Sequence, residues 1–150
     1  MAVQLLTAAL GTVGFGLIYQ LRTKYIFWSA LGGFLCWAVE LFFMARLEGQ
    51  VFFPALTSGF AVAVYAEIMA RICGCPSTLF FVTSSIPLIP GRTLYLAMRK
   101  ILENDMPAAI ANGTDTLLIA LGITAGMAAA WTICDFSRKI LKTEGTGAEP

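Results

Sequence analysis

The sequence predicts an all-α membrane protein, a polytopic helical bundle of about five transmembrane helices with the fourth broken at a Pro-x-x-Pro-Gly motif. Three observations predict it. Of 150 residues, 58% are hydrophobic and 13% charged, whereas soluble domains carry about 25% charged residues. Runs with few or no charges, each near the roughly 20 residues needed to cross the hydrocarbon core, recur five times. The fourth run carries Pro76, Pro87 and Pro90, and proline interrupts a helix by removing a donor and clashing with the preceding turn.

The runs follow in order. Residues 1–21 are uncharged, 25–44 hold only Glu40, 49–72 hold Glu67 and Arg71 near the far end, 72–91 are uncharged, and 116–134 are uncharged. The first lacks a basic n-region and an A-x-A-like cleavage pattern, so it reads as a retained helix rather than a signal peptide. Residues 1–142 form one transmembrane domain, and the polar 143–150, TEGTGAEP, reads as a disordered tail. Placing the N-terminus outside and the C-terminus in the cytoplasm puts Arg22, Lys24, Arg71, Arg138, Lys139 and Lys142 inside. Arg46, Arg99 and Lys100 then lie outside and Arg92 is undecided, a modest preference under the positive-inside rule.

Composition also excludes. Ten Lys+Arg against nine Asp+Glu give a net charge of +1, which supplies no basic field for nucleic acid. With no histidine, His-dependent triads and most zinc sites are out, and no paired-carboxylate motif points to an enzyme. No ATP-binding motif, cofactor or metal is expected. The four cysteines, Cys36, Cys73, Cys75 and Cys134, form no CxxC pair and read as packing residues. Small residues recur at four-residue spacing, as Ala55, Gly59 and Ala63, and as Gly122, Gly126 and Ala130, with Gly11, Gly14 and Gly16 thinning the first run. In lipid such stripes let backbones approach closely. Packing within the chain is the plainer reading of them, and a dedicated interface the alternative.

The informative stretch is residues 77–98, STLFFVTSSIPLIPGRTLYLAM. Pro87 and Pro90 free the carbonyls of Thr83 and Ile86, and Gly91 permits a bend. Irregular backbone at membrane depth is tolerated only inside protein or beside a watery cavity, so two half-helices are expected, the second starting near Arg92 or Thr93. Its free N–H groups and positive dipole end suit a carboxylate, as in secondary transporters. Ser84, Ser85 and Thr93 add hydroxyls, and Tyr95 a phenol. Arg92 reads either as the cation fixing a carboxylate or as a snorkelling side chain. A packing-relieving proline kink is the plainer alternative for the whole stretch.

Acidic residues in spans are functional candidates by default. Glu67 lies four positions before Arg71 and reads as one half of a helix-face ion pair. Glu40 has no local partner and is a candidate proton carrier. Asp115 sits in ANGTDT, residues 111–116, a polar interruption entering the fifth span. If that patch faces the Pro-Gly break, Asn112 and Thr114 supply polar ligands and Asp115 is the coupling carboxylate. Asp135, near Arg138, reads as interfacial. Tyr19, Tyr25, Phe27, Trp28 and Trp131 fall near span ends as interfacial anchors, with Trp37 deeper.

The run IPLIPGRTLYLAM, residues 86–98, resembles the Pro-x-x-Pro-Gly-x-x-x-Tyr-x-x-Met signature of the threonine/serine exporter family of ThrE type, here Pro87, Pro90, Gly91, Tyr95 and Met98. Residues 14–33 and 56–81 are similar to its first-to-second and third-to-fourth span regions. The chain most resembles the short, separately encoded C-terminal half of such exporters, the YjjB-like proteins. That resemblance implies a bacterial inner-membrane subunit working with a larger subunit that has a cytosolic N-terminal domain and five spans. The implied cargo is threonine and serine, or in some pairs a dicarboxylate such as succinate. Arg92 departs from the pattern, where a small or polar residue is expected, and leaves a more anionic substrate open. A structural subunit that scaffolds a complex without binding substrate is the alternative.

Overall fold

A computed structural model describes the backbone of residues 2–47 and 49–146 and the side chains of 3–47 and 49–136. Among these residues every regular element is helical: α1 (Ala2–Ile18), α2 (Thr23–Arg46), α3 (Phe52–Cys73), α4 (Ser77–Ser85), a 3-10 turn (Ile86–Leu88), α5 (Gly91–Leu102) and α6 (Met106–Thr146). The side chains of Arg138, Lys139 and Lys142 lie outside the described residues, as does 147–150; α6 continues four residues into the stretch read as a tail.

Connections are tight because the chain takes left-handed backbone where each helix ends. Gly74 has φ 64° and closes α3, with its N–H and that of Cys75 both donating to Ala70 O. Gln20 (φ 53°) and Asn104 (φ 58°) play the same part after α1 and α5. Asp105 then starts α6, its Oδ1 accepting from Ala108 N at 3.3 Å, a side-chain cap on an otherwise unpaired donor.

The helix α3 is the spine, packed against α2, α4 and above all α6, while α1 lies on α2 and α5 lies on α6. Two small cores mark its faces: Cys36, Val62 and Leu88 in one, Ala66, Met69 and Phe80 in the other. The stripes of small residues meet each other inside the chain. A Cβ at Gly122 would lie 2.6 Å from Phe52 O, one at Gly59 2.7 Å from Ile123 O, and one at Gly126 2.9 Å from Phe60 N. Ala55, Ala63 and Ala130 on the same seam are buried. Gly11 and Gly14 differ, with open space around both.

Among the described residues three helices are long and apolar enough to cross a membrane: Thr23–Arg46, Phe52–Cys73 and Met106–Phe136. A fourth span arises if Ser77–Leu88 and Gly91–Leu102, which meet at 42°, count as one. The expected fifth, α1, is apolar but has 17 residues, about 25 Å at 1.5 Å per residue, just short of a core of about 30 Å. The polar ANGTDT stretch lies inside α6, which runs through it unbroken. Its hydroxyl and amide groups bond back to their own helix, Asn112 Nδ2 to Ala108 O, Thr114 Oγ1 to Ile110 O and Thr116 Oγ1 to Asn112 O, so they need no loop to be satisfied.

Gly126→Val drives a branched side chain into backbone on α3 that cannot yield cheaply. The expected cost is about 1–3 kcal/mol, read as a lower thermal midpoint in detergent. Gly113→Ala, on the same helix with nothing within 4 Å, gains about 0.5–1 kcal/mol from helix propensity instead.

Candidate functional site

The helix breaks where the two prolines fall. Pro87 sits in the 3-10 turn, and Pro90, at φ −76° and ψ 49°, precedes the first residue of α5. The second helix begins at Gly91, one residue ahead of the expected start. Gly91 is exposed, has no positive φ, and a Cβ there would meet nothing within 4 Å. The bend therefore belongs to the Ile89–Pro90 step, where Gly91 N donates to Ile89 O at 2.7 Å, and the glycine keeps the start of α5 open.

The hydroxyls divide between two sides. Ser84 is buried against α2 and donates to Ser29 O at 3.3 Å, while neighbouring Thr83 reaches Ser29 Oγ at 3.1 Å. Gly32 makes room for this contact, since a Cβ there would strike Ser84 and Tyr65; Tyr65 in turn donates to Trp28 O at 2.6 Å. Ser84 is thus a clasp between α2 and α4, and Ser85 donates only to Val82 O. On the other side Thr93 Oγ1 lies 3.1 Å from Pro90 O and within hydrogen-bond distance, 2.9 Å, of Thr116 Oγ1. Of the expected polar patch on α6, then, Thr116 is the residue joined to the break. Asn112 and Thr114 are turned to their own carbonyls, and Asp115 is half-buried without a hydrogen bond or ion pair among the described residues. Arg92 and Tyr95 are exposed at the start of α5, Tyr95 at 63%.

The acidic candidates separate as clearly. Glu67 pairs with Arg71 at 3.5 Å, as the four-residue spacing predicts. It also lines an open cavity of about 250 Å³ with Ser77, Trp131, Cys134 and Asp135. Glu40, 4% exposed, crosses to α3, where its carboxyl bonds Ser58 Oγ. That hydroxyl is also 2.9 Å from Pro54 O and 3.1 Å from Ala55 O. A hydroxyl has one proton to give; a carboxyl that carries its own proton can donate to Ser58 while Ser58 donates to the backbone, which satisfies every group. In the last turn of α5, Arg99 Nε and Lys100 Nζ each lie 2.8 Å from the Glu103 carboxylate, and these bonds, Lys100's first, hold that carboxyl below its ordinary value.

A second cavity, of about 240 Å³, lies where α1, α2 and the 3-10 turn meet, lined by Gln4, Thr7, Ala8, Trp37 and Pro87. Sequence reasoning placed Pro87 in a site but missed Gln4 and Thr7, which sit in an uncharged run with no motif around them. Ser58 and Ser29 were missed as well. Each is a single small polar residue in an apolar run, and only the partner helix gives it meaning.

Apolar helices long enough to cross a bilayer, with a bent pair packed among them, are the architecture of a multi-pass membrane protein. The family model for the threonine/serine exporter, ThrE, matches residues 4–133. The chain belongs to that family, whose members are transporters rather than enzymes. No curated protein and no solved structure matches it.

The Glu40–Ser58 contact is testable by a double-mutant cycle. Ser58→Ala alone lowers stability by about 1–3 kcal/mol, because a buried carboxyl loses its partner, and adding Glu40→Leu recovers most of that loss. Thr114→Ala, which removes an exposed intrahelical bond, shifts the unfolding midpoint little.

Proposed function

We propose that this chain is the membrane subunit of a two-component secondary exporter for threonine and serine, acting with a larger five-span partner that has a cytosolic N-terminal domain. The observation that carries the reading is the 42° break between Ser77–Leu88 and Gly91–Leu102, in a chain whose family exports these amino acids. Non-helical backbone at membrane depth belongs beside protein or water, and discontinuous spans are where secondary transporters bind their cargo. On this reading α1 is the first of five spans, thinned by Gly11 and Gly14 and completed against the partner. The bent pair is the fourth, with the N-terminus outside, the C-terminus inside, and the whole in a bacterial inner membrane. Arg99 and Lys100, which this orientation leaves outside, are there matched by Glu103.

Transport is alternating access about the break. Glu40 is the preferred proton carrier, since its only described polar partner is a hydroxyl, whereas Glu67 is held by Arg71. Arg92, free of ion pairs among the described residues at the start of α5, is the residue through which a dicarboxylate such as succinate would be favoured.

The test is efflux of labelled threonine, serine and succinate from preloaded cells making this chain with its larger partner. Gly91→Leu leaves folding intact, because the position is open, and lowers efflux by about tenfold or more, equivalent to roughly 1.4 kcal/mol. Arg92→Ala spares threonine and serine and diminishes any succinate efflux. Absence of efflux, or indifference to Gly91→Leu, would instead support a scaffold that moves no substrate.

A further inference from the structure

One buried side-chain donor, the indole Nε1 of Trp37, has no acceptor among the described residues. A buried tryptophan N–H usually finds a partner, and an orphan calls for an explanation. Trp37 lines the cavity of about 240 Å³ between α1, α2 and the 3-10 turn, together with Gln4, Thr7 and, from the Pro-x-x-Pro-Gly segment, Pro87. Thr7 donates to Gln4 O at 2.9 Å, and the Gln4 carboxamide makes no hydrogen bond to the described residues. The cavity therefore presents two kinds of N–H donor and the oxygens of an amide and a hydroxyl, on walls with no charged residue. It is an open cavity, with Gln4 and Thr7 exposed at its rim, and its volume of about 240 Å³ is enough for a small amino acid.

We propose that this cavity is a binding site for a zwitterionic hydroxy amino acid, whose carboxylate takes the Trp37 Nε1–H and whose remaining polar groups are met by Gln4 and Thr7. The ligand class rests on the exporter reading; the site rests on the orphan donor and the cavity. Uncharged walls select a molecule of zero net charge, because a dicarboxylate would leave two negative charges desolvated with no cation to meet them. Nε1 is covered in this conformation, so binding includes a small swing of the indole or of the exposed α1 side chains above it. Pro87 couples that movement to the break, since it belongs both to the cavity wall and to the turn that separates α4 from α5.

The experiment is direct binding to the full chain in lipid nanodiscs, with radiolabelled L-threonine, L-serine and succinate. Saturable binding of threonine and serine, with succinate weaker, is expected. Trp37→Phe, which keeps an aromatic body but removes the N–H, weakens threonine binding by about tenfold or more, the scale of a hydrogen bond to a charged group. Gln4→Leu also weakens it, and Trp131→Phe, beside Phe81, leaves it unchanged. A chain carrying Trp28→Phe and Trp131→Phe reports on Trp37 alone, and its emission shifts as threonine saturates. The proposal is overturned by a chain that binds no amino acid, by Trp37 emission indifferent to threonine, by Trp37→Phe binding as wild type, or by a preference for succinate. Efflux in cells separates the two readings: transport that survives Trp37→Phe removes this site and keeps the exporter, while Trp37-dependent binding without efflux does the reverse.

Discussion

Contact of backbone with backbone between α3 and α6 is the constraint on which the rest of the bundle depends. Lipid offers no hydrophobic drive for helices to associate, so close packing and polar clasps must hold them. Gly59, Gly122 and Gly126 bring the two helices near enough that an added methyl would meet a carbonyl or an amide nitrogen. The other contacts of α3 follow from that fixed axis. Ser58 receives Glu40 from α2, Tyr65 reaches the carbonyl of Trp28, and Phe80 of α4 closes over Ala66 and Met69.

Against this frame the segment around Pro87 and Pro90 is where the helix is interrupted. Single hydrogen bonds flank it, Ser84 to α2 and Thr93 with Thr116 of α6, across a 42° bend, while Leu88 between them packs with Cys36 and Val62. Such bonds contribute about 1 kcal/mol each, little enough for a ligand to redistribute. The two ends of the break answer to different neighbours. The 3-10 turn reports to α1 and α2, and the start of α5 reports to α6, so a substrate seated against either side biases the same hinge.

Much of this architecture is legible in the residues. The apolar runs mark α2, α3 and α6, the prolines mark the break to within a residue, the spacing of Glu67 and Arg71 gives their pair, and the small-residue stripes give the α3–α6 seam. What is not legible is which helix each lone polar residue faces. Glu40 has no partner on its own helix because its partner, Ser58, comes from the next one. ANGTDT reads as a polar patch that could face the break, yet Asn112, Thr114 and Thr116 each bond to a carbonyl of their own helix and the helix continues. Gly91 reads as the bend, whereas Pro90 supplies it and Gly91 is simply helical. Trp37 stands out in the sequence only by its depth, and its significance lies in a cavity assembled from three separate elements.

The claim that the break borders water inside the membrane is tested most directly by cysteine accessibility. Single cysteines placed from 84 to 93, in a chain with Cys36, Cys73, Cys75 and Cys134 replaced, are exposed in intact membranes to a thiol reagent that cannot cross lipid. The account predicts labelling at 87 and from 89 to 92, protected by an excess of threonine, and none at the buried Leu88 or, as added controls, at the buried Val62 and Phe80. Uniform protection from 84 to 93 would mean a proline kink sealed in lipid or protein, and it would contradict a substrate path through the broken span.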